Sequence, residues 1–243
     1  MNTKTLTYDT DGLHMVSHLY FNEGESTPRP GVLVFPEAFG LGEHAKSRAE
    51  RLAGLGFVAL ACDLHGEGRV FSDIKEVMTL IDPLRADPLR TRARAIAAHN
   101  ALKERSEVDS SKIAAIGFCF GGTMALELAR SGAEVAGVVG FHSGLATVRP
   151  EDAKNIRGRV LVCIGADDPG IPLEQRVAFE KEMREGGVDW QMNLYGGVVH
   201  SFTNPEADSR GMPQMARYDA KADARSWEEM RAFFKEIFRQ SIV

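Results

Sequence analysis

A cysteine lies between two glycines where a predicted strand meets a predicted helix. Residues 117–121 read Gly-Phe-Cys-Phe-Gly, with an apolar run at 112–116 before them and strong helix formers at 123–130 after them. This Gly-x-Cys-x-Gly pattern is that of a nucleophile elbow, whose sharp turn leaves almost no room for side chains two residues before and after the nucleophile. We expect Cys119 to stand exposed above a helix N-terminus, which favours the thiolate and lowers the thiol pKa.

A thiol nucleophile needs a base, and the base needs a carboxylate that fixes its tautomer. In an open parallel sheet such groups collect on the loops that follow the strands. Asp167 and Asp168 follow one predicted strand, and His200 lies in the loop after the next. The order nucleophile, acid, histidine is that of hydrolytic triads on α/β sheets. It favours catalysis by Cys119 over the alternative of a buried packing cysteine, and it leaves both aspartates open.

Predicted strands and helices alternate along the chain and would position these groups. That alternation predicts one domain over residues 1–243, with a mostly parallel sheet covered by helices on both faces. An antiparallel hairpin is expected at 4–21, a loop at 22–30 and a short helical or irregular piece at 71–81. The predicted strands are 31–36, 57–62, 112–116, 135–141, 159–164 and 189–194. The predicted helices are 43–54, 87–104, 123–130, 174–185 and 215–239, with a long loop at 196–213.

Composition narrows the class of protein. The 243 residues are 44% hydrophobic and 26% charged, an ordinary globular balance, and the net charge of −5 argues against nucleic acid or anionic membrane as a partner. No apolar run approaches the ~20 residues of a membrane span, and no signal peptide is evident. The three cysteines are widely spaced, which predicts reduced thiols and a cytoplasmic location. Cys62 and Cys163 fit packing positions, and no spacing suggests a metal site.

Four segments, taken together and in chain order, resemble the dienelactone hydrolase family of α/β-hydrolases. They are Phe-Pro-Glu-Ala-Phe-Gly at 35–40, Gly-Phe-Cys-Phe-Gly-Gly at 117–122, Gly-Ala-Asp-Asp-Pro-Gly-Ile-Pro at 165–172 and His-Ser-Phe-Thr-Asn-Pro at 200–205. The resemblance implies an α/β-hydrolase fold and a cofactor-free hydrolase that cleaves small carboxylic esters or lactones. It also implies a triad of Cys119, Asp168 and His200, and Asp167 could instead cap the turn.

Two further roles follow from the resemblance. The glutamate that matches Glu37 contacts the cysteine in the family and helps to turn it into a thiolate. The backbone amides of Ala38 and Phe120 would form the oxyanion hole. Physical reasoning on Glu37 points the same way, since a carboxylate in a mostly apolar pocket has a raised pKa and can accept a thiol proton. A solvated loop glutamate is the open alternative.

The substrate pocket is expected to involve residues beside these motifs. The candidates are Phe39, Phe118, His142 and Phe202, with His65 as a further residue that follows a strand. Family members that act on dienelactone hold its carboxylate with arginines, one of them shortly after the catalytic histidine. Residues 203–205 contain no arginine here, and the sequence does not place Arg69, Arg85 or Arg210. A neutral substrate and an anionic lactone therefore both remain open.

The sequence thus predicts a cysteine-dependent hydrolase of esters or lactones that works through a thioester intermediate. Two alternatives use the same thiol. One is promiscuous hydrolysis of activated esters that include phosphotriesters, and the other is a non-catalytic ligand or redox sensor. The expected partner is a small molecule, and the chain would be a monomer or a homodimer.

Overall fold

The computed structural model describes residues 1–22 and 28–239. Residues 23–27, inside the loop predicted at 22–30, lie outside the described residues. The strands are β1 (Asn2–Thr10), β2 (Leu13–Phe21), β3 (Arg29–Phe35), β4 (Val58–Ala61), β5 (Val108–Phe118), β6 (Gly137–Phe141), β7 (Arg159–Gly165) and β8 (Trp190–Tyr195).

These strands form one eight-stranded sheet in the order β1-β2-β4-β3-β5-β6-β7-β8. The pairs β1–β2 and β2–β4 are antiparallel, and all later pairs are parallel. The predicted N-terminal hairpin turns at Asp11 and Gly12, which both have positive φ (50° and 71°), as a two-residue hairpin turn requires. The carboxyl ends of β3, β5, β6 and β7 therefore meet at one edge of the sheet.

Helices cover both faces of this sheet. Their bounds are α1 (Glu43–Gly54), α2 (Ile74–Ala86), α3 (Pro88–Lys103), α4 (Phe120–Arg130), α5 (Leu173–Glu185) and α6 (Ala220–Phe238). Helices α2 to α5 pack on one face with Leu33 and Phe35 of β3, and α1 and α6 pack on the other with Val32 and Val34. Strands that are buried on both sides are typical of parallel sheets. The predicted α/β-hydrolase architecture is confirmed, and the assignment of residues 1–243 to a single domain stays a prediction.

Three helices differ from their predicted bounds by three residues or more, and α4 is one of them because it begins at Phe120 rather than at residue 123. The short piece expected at 71–81 is a regular helix, α2, which the Asp73 side chain caps by accepting a hydrogen bond from the Lys75 amide. The last helix, α6, begins later than expected because the Asp219 side chain caps it. The long loop at 196–213 also contains a 3₁₀ helix, Pro205–Arg210. That helix carries Arg210 towards the end of β3.

The turn between β5 and α4 is packed against neighbouring backbone. A Cβ added at Gly117 would lie 2.0 Å from the carbonyl oxygen of Gly121, and one added at Gly121 would lie 2.3 Å from the carbonyl oxygen of Phe35. A Cβ at Gly122 would lie 1.6 Å from Oγ and 2.5 Å from Cβ of Ser143, just after β6. Side chains at these positions would force the sheet and α4 apart, which explains the glycines of the motif.

Among the residues that the structure describes, no helix is long and apolar enough to cross a membrane.

We expect Gly122→Ala to destabilise the fold by about 1–3 kcal/mol, since the added methyl group overlaps both side-chain atoms of Ser143. Gly54→Ala is the matched control. Gly54 is the last residue of α1, and a Cβ there meets nothing within 4 Å, so alanine should stabilise the chain by up to about 1 kcal/mol. The measurement is the midpoint of urea unfolding for both variants. Equal midpoints would show that α4 does not depend on this close approach.

Candidate active site

Cys119 occupies the turn between β5 and α4 with φ 54° and ψ −119°. A non-glycine residue with positive φ is strained and persists only where the surrounding structure holds it. The amide of Cys119 donates to the carbonyl oxygen of Phe141 at 3.0 Å and to Nδ1 of His142 at 3.1 Å. Because its own backbone is held in this way, the cysteine projects from the sheet edge as the elbow pattern predicted, although it is half-buried rather than exposed.

His200 lies between Cys119 and an aspartate. Its Nδ1 is 2.6 Å from Oδ2 of Asp168, whose side chain is fully buried and whose Oδ1 accepts a hydrogen bond from the Gly170 amide at 2.8 Å. On the side of the ring away from Asp168, the imidazole interacts with the Cys119 thiol through charge and a hydrogen bond. Asp167 is exposed to solvent, so the structure brings Asp168 rather than Asp167 to the histidine.

The charges of Cys119 and His200 stabilise each other. Burial disfavours the thiolate, but the charge of His200 and its hydrogen bond outweigh burial, and the pKa of Cys119 falls below its usual value. Burial likewise opposes the imidazolium, but Cys119 and Asp168 raise the pKa of His200 well above its usual range. The arrangement therefore favours a thiolate–imidazolium pair, which is the reactive form of a catalytic cysteine.

One backbone amide contacts the Cys119 side chain, and a second follows it in the chain. The Ala38 amide hydrogen-bonds to Cys119, and Phe120 is the first residue of α4, where backbone N–H groups have no partner within the helix. The carbonyl oxygen of Ala38 accepts a hydrogen bond of 2.8 Å from Nε2 of His65. Burial lowers the pKa of His65, so the ring is neutral and donates this bond. The sequence placed His65 after a strand but gave no sign that it holds the Ala38 backbone.

Glu37 is ionised and bound to groups other than the thiol. Its carboxylate accepts hydrogen bonds from Ser201 Oγ and Asn204 Nδ2, each at 2.7 Å, and from the Arg210 guanidinium. Burial alone would raise its pKa, but the charge of Arg210 leads the opposing effects, which bring the pKa to about 2. The prediction of a raised pKa for Glu37 is therefore wrong. At Cys119 the charge of Glu37 disfavours the thiolate.

A cavity of about 340 Å³ opens above the sulfur atom. Its walls are mainly apolar and include three methionine side chains, which adapt readily to ligands of different shape. Arg85 and Arg210 are the charged residues of the wall besides Asp168 and His200. The apolar and thiol-bearing walls are formed by Ala38, Phe39, Ile74, Met78, Cys119, Phe120, Ile171, Met212, Met215 and Ala216.

The structure places the other predicted pocket residues differently. Phe39 lines the cavity, but Phe118, His142 and Phe202 are fully buried in the protein interior and do not line it. Phe118 is directed to the face that α1 and α6 cover, where its ring stacks on that of Phe141 with the centroids 5.0 Å apart. Phe118 precedes Cys119 and Phe202 lies two residues after His200 in the sequence, but the direction of each side chain depends on how the chain packs rather than on proximity in the chain.

The arginines that the sequence left unplaced separate into two groups. Arg210 and Arg85 both reach the cavity. The guanidinium carbon of Arg210 lies 4.6 Å from the ring centroid of Phe39, and that of Arg85 lies 5.9 Å from the ring centroid of Phe120. Arg69 instead donates hydrogen bonds to backbone carbonyl oxygens of its own loop. Within residues 1–22 and 28–239, no group of three or more His, Cys, Asp or Glu side chains is placed to hold a metal ion.

Comparison with known proteins shows the family. The model of the dienelactone hydrolase family matches residues 18–238. The chain belongs to the dienelactone hydrolase family. Like the family, it is a hydrolase that acts on ester bonds. A putative carboxymethylenebutenolidase of Aquifex aeolicus is 28% identical over 223 residues, which are 88% of this chain and 92% of that protein.

Two solved structures are more similar to the chain. The protein named m3DLH is 48% identical, with a TM-score of 0.94, over 97% of this chain and 98% of its own. A dienelactone hydrolase-like promiscuous phosphotriesterase, P91, from metagenomic libraries is 47% identical, with a TM-score of 0.92, over the same shares. The fold and the family are thus established together.

The lowered pKa of Cys119 gives a test of the thiolate–imidazolium pair. The rate of alkylation by iodoacetamide should follow the thiolate fraction, which falls as the pH drops through this lowered pKa. His200→Gln removes the imidazolium that opposes burial, so the profile should move to higher pH and the rate at pH 7 should fall at least tenfold.

The cysteines Cys62 and Cys163 provide an internal control. Burial raises the pKa of both thiols, that of Cys163 to about 12, so Cys119→Ala should take up no label. A pH profile that is the same with and without His200 would refute the pairing.

Proposed function

We propose that the chain hydrolyses carboxylic esters or lactones through Cys119, His200 and Asp168, with a thioester as the intermediate. The observation that carries the proposal is the position of His200, hydrogen-bonded to a buried carboxylate on one side and to the thiol on the other. The amide of Ala38 beside the sulfur supports it. This is the arrangement of nucleophile, base and orienting acid that covalent acyl transfer requires.

Acylation of the cysteine is the first half of the reaction. The Cys119 thiolate attacks the carbonyl carbon, and the oxygen gains negative charge that the amides of Ala38 and Phe120 stabilise. Each such donor is worth ~3–4 kcal/mol where it has been measured. As the C–O bond to the alcohol breaks, the leaving alkoxide takes the proton from His200. The acyl group is left on sulfur as a thioester.

Hydrolysis of the thioester completes the cycle. His200, now neutral, accepts a proton from water as the water oxygen attacks the thioester carbonyl. The C–S bond breaks, the acid leaves, and the thiolate pairs again with the imidazolium. Asp168 fixes the tautomer of His200 in both halves, so its hydrogen bond to Nδ1 is used twice in each turnover.

The charges of the pocket favour a small neutral substrate. Arg210 is already paired with Glu37 and hydrogen-bonds to Ser201 Oγ at 3.0 Å, so its charge is largely compensated. Arg85 is half-exposed, with Asp82 at 3.3 Å. The remaining wall is mainly apolar, which suits an uncharged acyl or aryl group. We therefore propose neutral esters and lactones in preference to an anionic lactone.

The direct test is steady-state turnover of p-nitrophenyl butyrate by the wild type and by Cys119→Ala. We expect many turnovers in the wild type and a loss of at least about 10³-fold in kcat in the variant, because the covalent route is removed. Mass spectrometry of rapidly quenched wild-type enzyme should show an adduct of butyryl mass on Cys119. Anionic p-nitrophenyl hemisuccinate should give a lower kcat/KM than the butyrate.

Two results would contradict the proposal. Turnover that survives in Cys119→Ala would remove the cysteine from the mechanism. A single burst equal to the enzyme concentration, with no later turnover, would indicate a thiol that is acylated but not deacylated, as in a covalent sensor. Unfolding midpoints of the wild type and the variant should agree, since the change removes only a sulfur atom that faces the cavity.

A second substrate class, activated phosphotriesters, is favoured by the similarity to P91. The chemistry is feasible because the same thiolate can attack phosphorus, while the amides of Ala38 and Phe120 face the phosphoryl oxygen. The P–O bond to the aryl group then breaks. The departing aryloxide is a weak base, since the pKa of its phenol is about 7–8, and it therefore needs little acid catalysis. Water activated by His200 would cleave the P–S bond.

Paraoxon hydrolysis tests this second class. We expect measurable multiple turnover in the wild type and none in Cys119→Ala, with a kcat/KM below that of p-nitrophenyl butyrate. His200→Gln should release about one p-nitrophenolate per enzyme and then stop, because water is no longer activated. Turnover that persists without the cysteine, or no release in the wild type, would remove phosphotriesters from the range of substrates.

A further inference from the structure

A second histidine, His142, lies at the end of β6 directly behind the triad. It is fully buried, and its ring makes an edge-to-face contact with the ring of His200, with centroids 5.1 Å apart. Its Nδ1 lies 3.1 Å from the backbone nitrogen of Cys119, and its Nε2 lies 2.8 Å from Oγ1 of Thr203. The side chain thus contacts the nucleophile's backbone, the base and the loop of the base, without reaching the cavity.

The hydrogen bonds determine the form of this imidazole. A backbone N–H can only donate, so Nδ1 of His142 accepts from Cys119 and carries no proton. Burial, followed by the charge of His200, lowers the pKa of His142 well below its usual range, so the ring is neutral. The single proton is therefore on Nε2, which donates to Thr203 Oγ1. The ring is a directional link, with an acceptor towards the elbow and a donor towards Thr203.

Thr203 belongs to the same loop as His200. Its side chain is buried, and its carbonyl oxygen accepts hydrogen bonds from Arg48 at 2.6 Å and from His44 at 3.1 Å. Those bonds hold the Thr203 backbone against α1. Through His142, the segment that carries the base is thereby joined to the backbone of the nucleophile.

The backbone of His142 is itself strained, with φ 41°. Non-glycine residues in this region cost free energy, and such residues cluster at functional sites. The amide of His142 donates to the carbonyl oxygen of Cys163 at 2.8 Å, which continues the β6–β7 pairing to this point. The chain therefore keeps a strained histidine where the ring can reach both Cys119 and Thr203.

We propose that His142 is a positioning residue that sets the distance and angle between Cys119 and His200 by linking the nucleophile elbow to Thr203. The link rests on the proposed function, because it matters only if Cys119 and His200 exchange protons with the substrate. An error of about 1 Å in such geometry can reduce a rate about 100-fold. The substrate does not touch His142, so its loss should lower kcat and leave KM nearly unchanged.

Thr203 offers a matched pair of variants. Thr203→Val keeps the shape of the side chain and removes the hydroxyl that accepts from His142, whereas Thr203→Ser keeps the hydroxyl and removes only a methyl group. With p-nitrophenyl butyrate we expect about a tenfold lower kcat for valine, kcat within threefold of wild type for serine, and KM within twofold for both. The temperature midpoint of unfolding is recorded for each variant.

A second substitution separates the link through His142 from the weaker contact of Thr203 Oγ1 with His44 at 3.3 Å. His142→Asn can keep an acceptor for the Cys119 amide but cannot reach Thr203. In that background Thr203→Val should have no further effect on kcat, because the link is already broken. If Thr203→Val does not fold, His142→Asn alone carries the test, with a tenfold lower kcat and an unchanged KM.

Three outcomes would overturn the proposal. They are a folded Thr203→Val with wild-type kcat, a serine variant as slow as the valine variant, and a valine effect as large in the His142→Asn background as in the wild type. Cys119→Ala in the same assay keeps this failure distinct from failure of the proposed function. If Cys119→Ala is inactive while Thr203→Val and His142→Asn match the wild type, only the role of His142 is lost.

Discussion

The backbone of α4 approaches the end of β3 so closely that a Cβ at Gly121 would lie 2.3 Å from the carbonyl oxygens of Phe35 and Pro36. The same approach brings the amide of Phe120 near the loop that follows β3, and with it the amide of Ala38. The two donors of the predicted oxyanion hole thus come from segments far apart in sequence that meet because of this glycine. Cys119 lies at this approach, where the Ala38 amide hydrogen-bonds to it, and the remaining residues of the site are arranged around that contact.

Backbone strain is concentrated at this edge of the sheet. Cys119, His142 and Ser201 all have positive φ without being glycine, at 54°, 41° and 53°. Each is held by buried polar contacts, Ser201 through hydrogen bonds to Glu37 and Arg210. Such conformations persist only when the surroundings over-determine them. The buried polar groups near Cys119 and His200 therefore stabilise the particular backbone conformation that presents these two side chains.

Local patterns in the sequence were enough to predict the alternating fold and the elbow, because hydrophobic runs and glycines act over a few residues. The order of the triad on the chain also follows from the topology of a parallel sheet. Other features depend on distant pairings. The raised pKa expected for Glu37 is wrong because Arg210, 173 residues away, binds its carboxylate. The residues alone left both Asp167 and Asp168 open for a similar reason, since only the folded loop buries Asp168 and exposes Asp167.

The direction of side chains at the strand ends could not be predicted from the sequence either. Phe118 and His142 lie next to residues of the site, but strand pairing directs both into the core rather than into the cavity. The 3₁₀ helix Pro205–Arg210 lies within the predicted long loop, so the sequence predicts no place for the arginine that this helix brings to Glu37. These errors share one cause. The neighbours of a side chain depend on the register of the sheet and on packing between segments that are far apart in the sequence.

Charge at the site is controlled by which histidines are allowed to ionise. Burial keeps His142 neutral, and it lowers the pKa of His44 to about 4, whereas the contacts with Cys119 and Asp168 keep His200 charged. With its ring centroid 5.1 Å from that of His200, a charged His142 would repel the imidazolium by about 3 kcal/mol at an effective dielectric constant of 20. That repulsion would be enough to lower the population of the thiolate–imidazolium pair substantially. Burial of His142 at this position therefore favours the thiolate–imidazolium pair, and its neutral form is also the one that can accept a hydrogen bond from the elbow.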